Sequence, residues 1–159
     1  VELKNVPDFQ RYTASTAFVE GWGLYSEQLA NEMGLYSNDV QQLGRLGNDA
    51  WRACRLVLDT GMHGMGWSRD SAIDFFRGNS PIEEINANIE TDRYIAWPGQ
   101  ACSYKMGQLT IEQLRKKAEE ELGEKFDIRY FHDEVLCDGG ITLPILENKL
   151  DSLIEKFRN

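Results

Sequence analysis

"LTIEQLRKKAEEELG", residues 109–123, decides the fold class. Ile111, Leu114, Ala118 and Leu122 recur at intervals of three and four, so they line one face of a 3.6-residue helix. Glu and Lys occupy the wet side, where pairs one turn apart support each other. "LPILENKLDSLIEKF", residues 143–157, repeats the pattern, and its Pro144 suits a first helical turn. Outward from these two stretches, the same period predicts helices over about 12–33, 38–60, 68–78, 81–95, 99–121, 127–138 and 144–157. Gly34, Gly61, Gly78, Gly123 and Gly139 fall near the proposed ends, as C-terminal caps do. Ser68 and Asp127 stand where N-caps belong. There is no repeat, low-complexity tract or linker. The expectation is an all-α, multi-helix fold, with one helical domain over residues 1–159.

The composition, 42% hydrophobic and 27% charged, is that of a folded domain. A net charge of −9 argues against a non-specific nucleic-acid binder, which needs cations to displace counterions. It disfavours an anionic membrane surface for the same reason. No apolar run approaches the ~20 residues of a membrane-spanning helix. Cys54, Cys102 and Cys137 are widely spaced and form no CxxC pair, so a structural zinc site is not supported and buried thiols are the plainer reading. The sequence opens on "VELKNVPDF", without an initiator Met or a signal peptide.

Function is sought first in "TAFVEGWGLYSEQLANEMG", residues 16–34. At 100° per residue, Phe18, Trp22, Tyr25, Leu29 and Met33 share one side, with Glu20 and Glu27 opposite, two turns apart. A solvated glutamate face is the ordinary outcome of such a pattern. The neighbours oppose it: Ala17, Gly21, Gly23, Leu24 and Ala30 are not the residues of a wet face. Glycine inside a helix costs up to about 1 kcal/mol relative to alanine, so two in three positions suggest a close approach. A neighbouring helix or a bound ion would both qualify. Carboxylates packed among small residues need partners, either a metal ion or arginines.

"NDAWRACRLVLDTGMHGMGW", residues 48–67, carries a second polar stripe. Arg52, Arg55 and Asp59 share it, and His63 joins if the helix passes Gly61. Arg55 and Asp59 could pair along the helix surface, a contact worth little. Trp51, Cys54, Val57 and Leu58 cover much of the remaining circumference, which instead favours a buried network. His132, in "RYFHDEVL", reads as structural. "DRYIAWPGQACSYKMG", residues 92–107, breaks at Pro98-Gly99. Its Tyr94 and Tyr104 suit a core, and either could donate to an oxyanion. Arg93 could bind a carboxylate through both arms or tie two helices together.

Three blocks, "FVEGWGLYSEQLANEMGLY", "RACRLVLDTGMHGMGWSRDSAIDFF" and the stretch from "RYIAWPGQACSYKMG" to "GGITLPIL", resemble the C-terminal part of the bacterial "domain of unknown function 885" family. They cover nearly the whole chain from residue 16 onward. The resemblance implies a helical zincin-like fold, related to zinc metallopeptidases of the gluzincin type. It is distantly similar to the carboxypeptidase Taq and oligopeptidase families. In the family, a His-Glu-x-x-Pro-Gly-His stretch precedes the "EGW" helix and would supply two zinc ligands and a general base. By that analogy Glu20 is the third ligand, and Glu27, with Asp59 and Arg55, supports it. His63 would stabilise the tetrahedral intermediate, with Tyr94 or Tyr104 as oxyanion donor and Arg93 and Gln100 on the substrate.

This sequence contains no such histidine motif. The expectation is therefore a piece of a larger catalytic domain, inactive alone and without catalytic zinc of its own. The full-length protein would use zinc to cleave a peptide or small amide substrate, with no nucleic-acid or membrane partner. The resemblance points to bacteria and leaves cytoplasm and periplasm open. A bared core surface would make the piece self-associate. The alternative is a helical interaction or scaffold domain without chemistry.

Overall fold

In a computed structural model, residue 3 and residues 6–158 are described. Eight α-helices follow in order: α1 Asp8–Tyr12, α2 Thr16–Glu32, α3 Asp39–Met65, α4 Arg69–Asn79, α5 Glu84–Ala96, α6 Ser103–Leu122, α7 Ile128–Leu136 and α8 Leu143–Arg158. A 3₁₀ turn, Gly123–Lys125, joins α6 to α7. No strand occurs among the described residues, so the fold is all-α as the spacing requires.

Three features differ from the sequence expectation. The first predicted helix is two, because Thr13 leaves α1 in extended geometry and α2 starts only at Thr16. The helix expected to end near 60 continues to Met65, and Gly66 (φ 72°) caps it instead of Gly61. Gly61 lies inside α3 because the Trp67 ring packs on it, 2.7 Å from where a Cβ would stand. Gly78 is likewise internal to α4. The helix expected from 99 begins at Ser103, because residues 98–102 form turns after Pro98. Ser68 and Asp127 do cap α4 and α7, accepting from Ser71 N and Arg129 N. Asn38, accepting from Gln41 N, caps α3 in the same way.

The helices gather around two apolar cores. Phe18 and Tyr25 of α2, Ile111 and Leu114 of α6, Phe131 and Val135 of α7 and Leu146 and Leu150 of α8 form one. Cys54 and Leu58 of α3, Ile73 and Phe76 of α4 and Ala87 and Tyr94 of α5 form the other. Helices α2 and α6 run in the same direction: Gly21 meets Gly107, and further along both Glu32 meets Arg115. A Cβ on Gly107 would lie 1.8 Å from the Ala17 carbonyl oxygen, and one on Gly21 2.3 Å from the Gly107 carbonyl carbon. The two backbones thus touch, and only glycine fits at either position. Gly23 is different: it is exposed and nothing lies within 4 Å of a Cβ there. Of the two glycines expected to mark a close approach, Gly21 alone does so.

Helix α3 runs antiparallel to α2, tied by Gln42 to Asn31 (2.5 Å) and Arg45 to Gln28 (3.0 Å). Its C-terminal half packs against α4, α5 and α6 and buries Cys54, Arg55, Leu58 and Asp59, but Val57, expected to help cover the stripe, is exposed, as are Val40 and Leu43 in the N-terminal half.

Candidate functional site: a buried guanidinium network

The centre of the second core is polar. Arg55 and Asp59, one turn apart on α3, are 6% and 3% exposed. They do not pair along the helix. Arg55 Nε donates to Tyr94 Oη (2.9 Å) and Nη2 to Glu90 Oε2 (3.0 Å). Tyr94, fully buried on α5, donates its hydroxyl proton to Glu90 Oε2 (2.6 Å), and Trp51 Nε1 donates to the same hydroxyl (3.4 Å). Arg93 also binds Glu90, through Nη2 (3.1 Å), and reaches Gln100 Oε1 with Nη1 (2.5 Å). The Tyr104 ring, from the first turn of α6, stacks on Arg55 with the guanidinium carbon 4.3 Å from its centroid.

Asp59 has another task. Both its oxygens accept the Gly99 N–H, at 3.0 and 2.9 Å, where the chain turns after Pro98 with φ 82°. This anchors the α5–α6 connection to α3 and sets Gln100 and Tyr104 in place. His63, in the last turn of α3, bonds through Nε2 to the Tyr94 carbonyl oxygen (3.0 Å). That oxygen can only accept, so Nε2 carries the hydrogen.

Burial pushes the Glu90 carboxyl up, but hydrogen bonds from Arg93 and Tyr94 and the charges of Arg55 and Arg93 outweigh it and hold the group below its ordinary value. Tyr94 is pushed up to about 12, by burial first and then by its bond to Glu90. Burial, reinforced by Asp59, likewise raises the Cys102 thiol.

Seven of the residues singled out in the sequence therefore stand together: Arg55, Asp59, His63, Arg93, Tyr94, Gln100 and Tyr104. Glu90, which joins both arginines to Tyr94, was not singled out. Its signal is the Glu90, Arg93, Tyr94 spacing, which puts three pairing groups on one face of α5. Glu20 and Glu27 stand apart on α2. Both are half-buried, and neither carboxylate makes a hydrogen bond or ion pair among the described residues. Glu27 takes part only through its carbonyl oxygen, which accepts from Tyr36 (3.3 Å).

His132 is structural, as its helix position suggests. Arg115 donates to Tyr25 Oη (3.3 Å), which leaves the Tyr25 hydroxyl to donate to His132 Nε2 (2.7 Å). Burial and the neighbouring Arg115 charge both lower the imidazole's proton affinity.

Zinc requires three or four His, Cys, Asp or Glu donors about one site. Among the described residues no three such side chains gather closely enough to hold a metal ion. The residues described here thus do not make a zinc site by themselves. No helix among them is long and apolar enough to cross a membrane.

No curated protein matches the chain. A crystal structure described as "the putative lipoprotein from Colwellia psychrerythraea" is similar, with a TM-score of 0.90 and 42% identity. The match covers 94% of this chain and 26% of that one, so the chain spans about a quarter of the length of that relative. The family described as "Bacterial protein of unknown function (DUF885)" matches residues 1–150. On that match across nearly its whole length, the chain belongs to the DUF885 family of bacterial proteins.

Proposed function

We propose that this chain is part of a zinc-dependent peptidase or related amide hydrolase, with Glu20 contributing one metal ligand and Glu27 supporting it. The observation that carries this is the state of Glu20. It is a half-buried carboxylate without a partner among the described residues, next to a helix crossing where Gly21 and Gly107 touch. Such a carboxylate is costly unless a cation meets it. When bound, zinc would act as a Lewis acid on the scissile carbonyl. The further ligands would come from outside the described residues.

This chain's own part would be recognition and orientation. Asp59 fixes the loop that carries Gln100 and leads into the first turn of α6, where Tyr104 stands. Tyr94 gives its proton to Glu90, whereas the Tyr104 hydroxyl makes no hydrogen bond among the described residues. Of the two tyrosines, Tyr104 is thus the one able to donate to a developing oxyanion.

The test is a longer protein carrying this chain together with a His-Glu-x-x-Pro-Gly-His segment. Its metal content and its hydrolysis of a peptide library would be measured beside those of Glu20→Gln. The expected result is about one zinc per chain and peptide cleavage, both lost in the variant. A longer protein without zinc sinks the proposal.

An interaction domain is the second reading, favoured by Val40 and Leu43 on α3, which flank a groove closed on its other side by Pro81 and Ile82. If the longer protein neither binds zinc nor cleaves peptides, this reading stands in its place.

A further inference from the structure

The polar network holds more cation than it neutralises. Arg55 and Arg93 share a single carboxylate, that of Glu90. Among the described residues Arg52 is paired with no carboxylate and bonds only to Asn48, through Oδ1 (2.9 Å) and the carbonyl oxygen (3.5 Å). Two donor nitrogens remain unspent: Arg52 Nε and Arg55 Nη1 are shut off from solvent and find no acceptor among the described residues. Both guanidinium groups lie against the Trp51 ring, 5.4 and 5.3 Å from its centroid. In a chain of net charge −9, a buried Arg55 and a half-buried Arg52 side by side, each with an idle nitrogen, are unusual. The pair is explained if an anion completes it.

We propose that Arg55 and Arg52 form a carboxylate-recognition subsite, and that Tyr104 is its movable cover. Tyr104 stacks on Arg55, and its hydroxyl is tied to nothing among the described residues, so the ring can leave without breaking a hydrogen bond. A carboxylate matches the forked donors of a guanidinium and brings a single charge into an aromatic surround. A phosphate dianion would lose more hydration there. This inference rests on the proposed peptidase function in one respect: it takes the ligand to be the free carboxylate end of a peptide, making the enzyme one that works from the C-terminus.

The probe is N-acetylglycine, titrated into the 159-residue chain at neutral pH and followed by tryptophan fluorescence and by melting temperature. N-acetylglycinamide and inorganic phosphate are titrated in parallel. N-acetylglycine is expected to give a saturable signal, with the amide and phosphate at least tenfold weaker. Arg52→Gln should weaken binding about tenfold or more, the loss typical of a charged hydrogen bond. Tyr104→Ala should tighten it several-fold, because the cover no longer has to move. A structural role for Tyr104 would not do that. Arg55→Lys keeps the charge and guards against misreading an unfolded variant: if folded, it too should bind more weakly. Equal binding of the amide, tighter binding of phosphate, or an unaffected Arg52→Gln each overturn the subsite. The two proposals fail separately. Carboxylate binding by this chain, with no hydrolysis by the longer protein, removes the peptidase reading alone. Hydrolysis that is indifferent to amidation of the peptide's C-terminus removes the subsite alone.

Discussion

Replacing Gly107 by alanine should separate the two helices that organise the larger core. The new Cβ would lie 1.8 Å from the Ala17 carbonyl oxygen and 2.8 Å from Gly21 Cα, where 3.4 Å is the near limit of ordinary contact. Helices α2 and α6 must then part by about 1.6 Å along that line. Overpacking costs about 1–3 kcal/mol where neighbours can yield. Here the obstacle is backbone, so the upper end applies. Alanine returns about 1 kcal/mol of helix propensity, which leaves a net loss of about 2 kcal/mol. For a chain of this size that lowers the melting temperature by roughly 4–8 °C. Gly23→Ala is the internal control. It lies on the same helix as Gly21, is exposed and has nothing within 4 Å. It should gain up to about 1 kcal/mol and raise the melting temperature by roughly 2–4 °C. Circular dichroism at 222 nm during thermal unfolding reads both. An unchanged or raised melting temperature for Gly107→Ala would refute the backbone-contact argument, and opposite signs for the two variants would support it.

Tyr94→Phe should cost about 1–3 kcal/mol, because it removes the acceptor of Arg55 Nε and a donor to Glu90. Tyr94 titrates higher folded than unfolded, so its contribution is complete below about pH 10 and is lost as pH rises toward about 12. The parent should therefore lose stability through that window, measured by urea midpoints, and Tyr94→Phe should not show that part of the loss. Glu90 is depressed, so its contribution is present above its unfolded value near 4.5 and is lost as pH falls through the folded one. Glu90→Gln should be less stable at neutral pH and lose less on acidification; a parallel decline with the parent would contradict the network. A native-state thiol titration should find Cys137 fast, because it is exposed, and Cys54 and Cys102 slow, because burial raises both thiols. The exposed apolar residues of α3 and α5, among them Val40, Leu43, Ile85 and Ile89, should make the chain self-associate at high concentration. A monodisperse monomer by light scattering would count against that.

The helices were legible because spacing of three and four survives in every long segment, from Ile111 to Leu122 as from Leu146 to Ile154. The misplaced boundaries share a cause: tertiary contact overrode local punctuation. Gly61 looked like a cap, yet Trp67 needed its flat surface. Residues 99–102 looked helical, yet Asp59 holds Gly99 in a turn. Arg55 and Asp59 were legible as buried because apolar side chains flank them, whereas Arg52 and His63 on the same stripe lie nearer the surface. Their partners were not legible, since Glu90 lies 35 positions from Arg55 and only packing α5 on α3 brings them together. Glycine density flagged a close approach but could not say which glycine made it, because Gly21 and Gly23 differ only in which side of α2 they occupy.

The bond between His63 and the Tyr94 carbonyl limits the imidazole to one chemical polarity at a time. With Nε2 committed as a donor to that oxygen, the neutral ring keeps its lone pair on Nδ1 alone. At a reaction centre it would start as a proton acceptor and become a donor only after Nδ1 had been protonated. Any step that used His63 to stabilise negative charge would therefore have to follow one in which it had already gained a proton. The order of events would be written into a single backbone hydrogen bond.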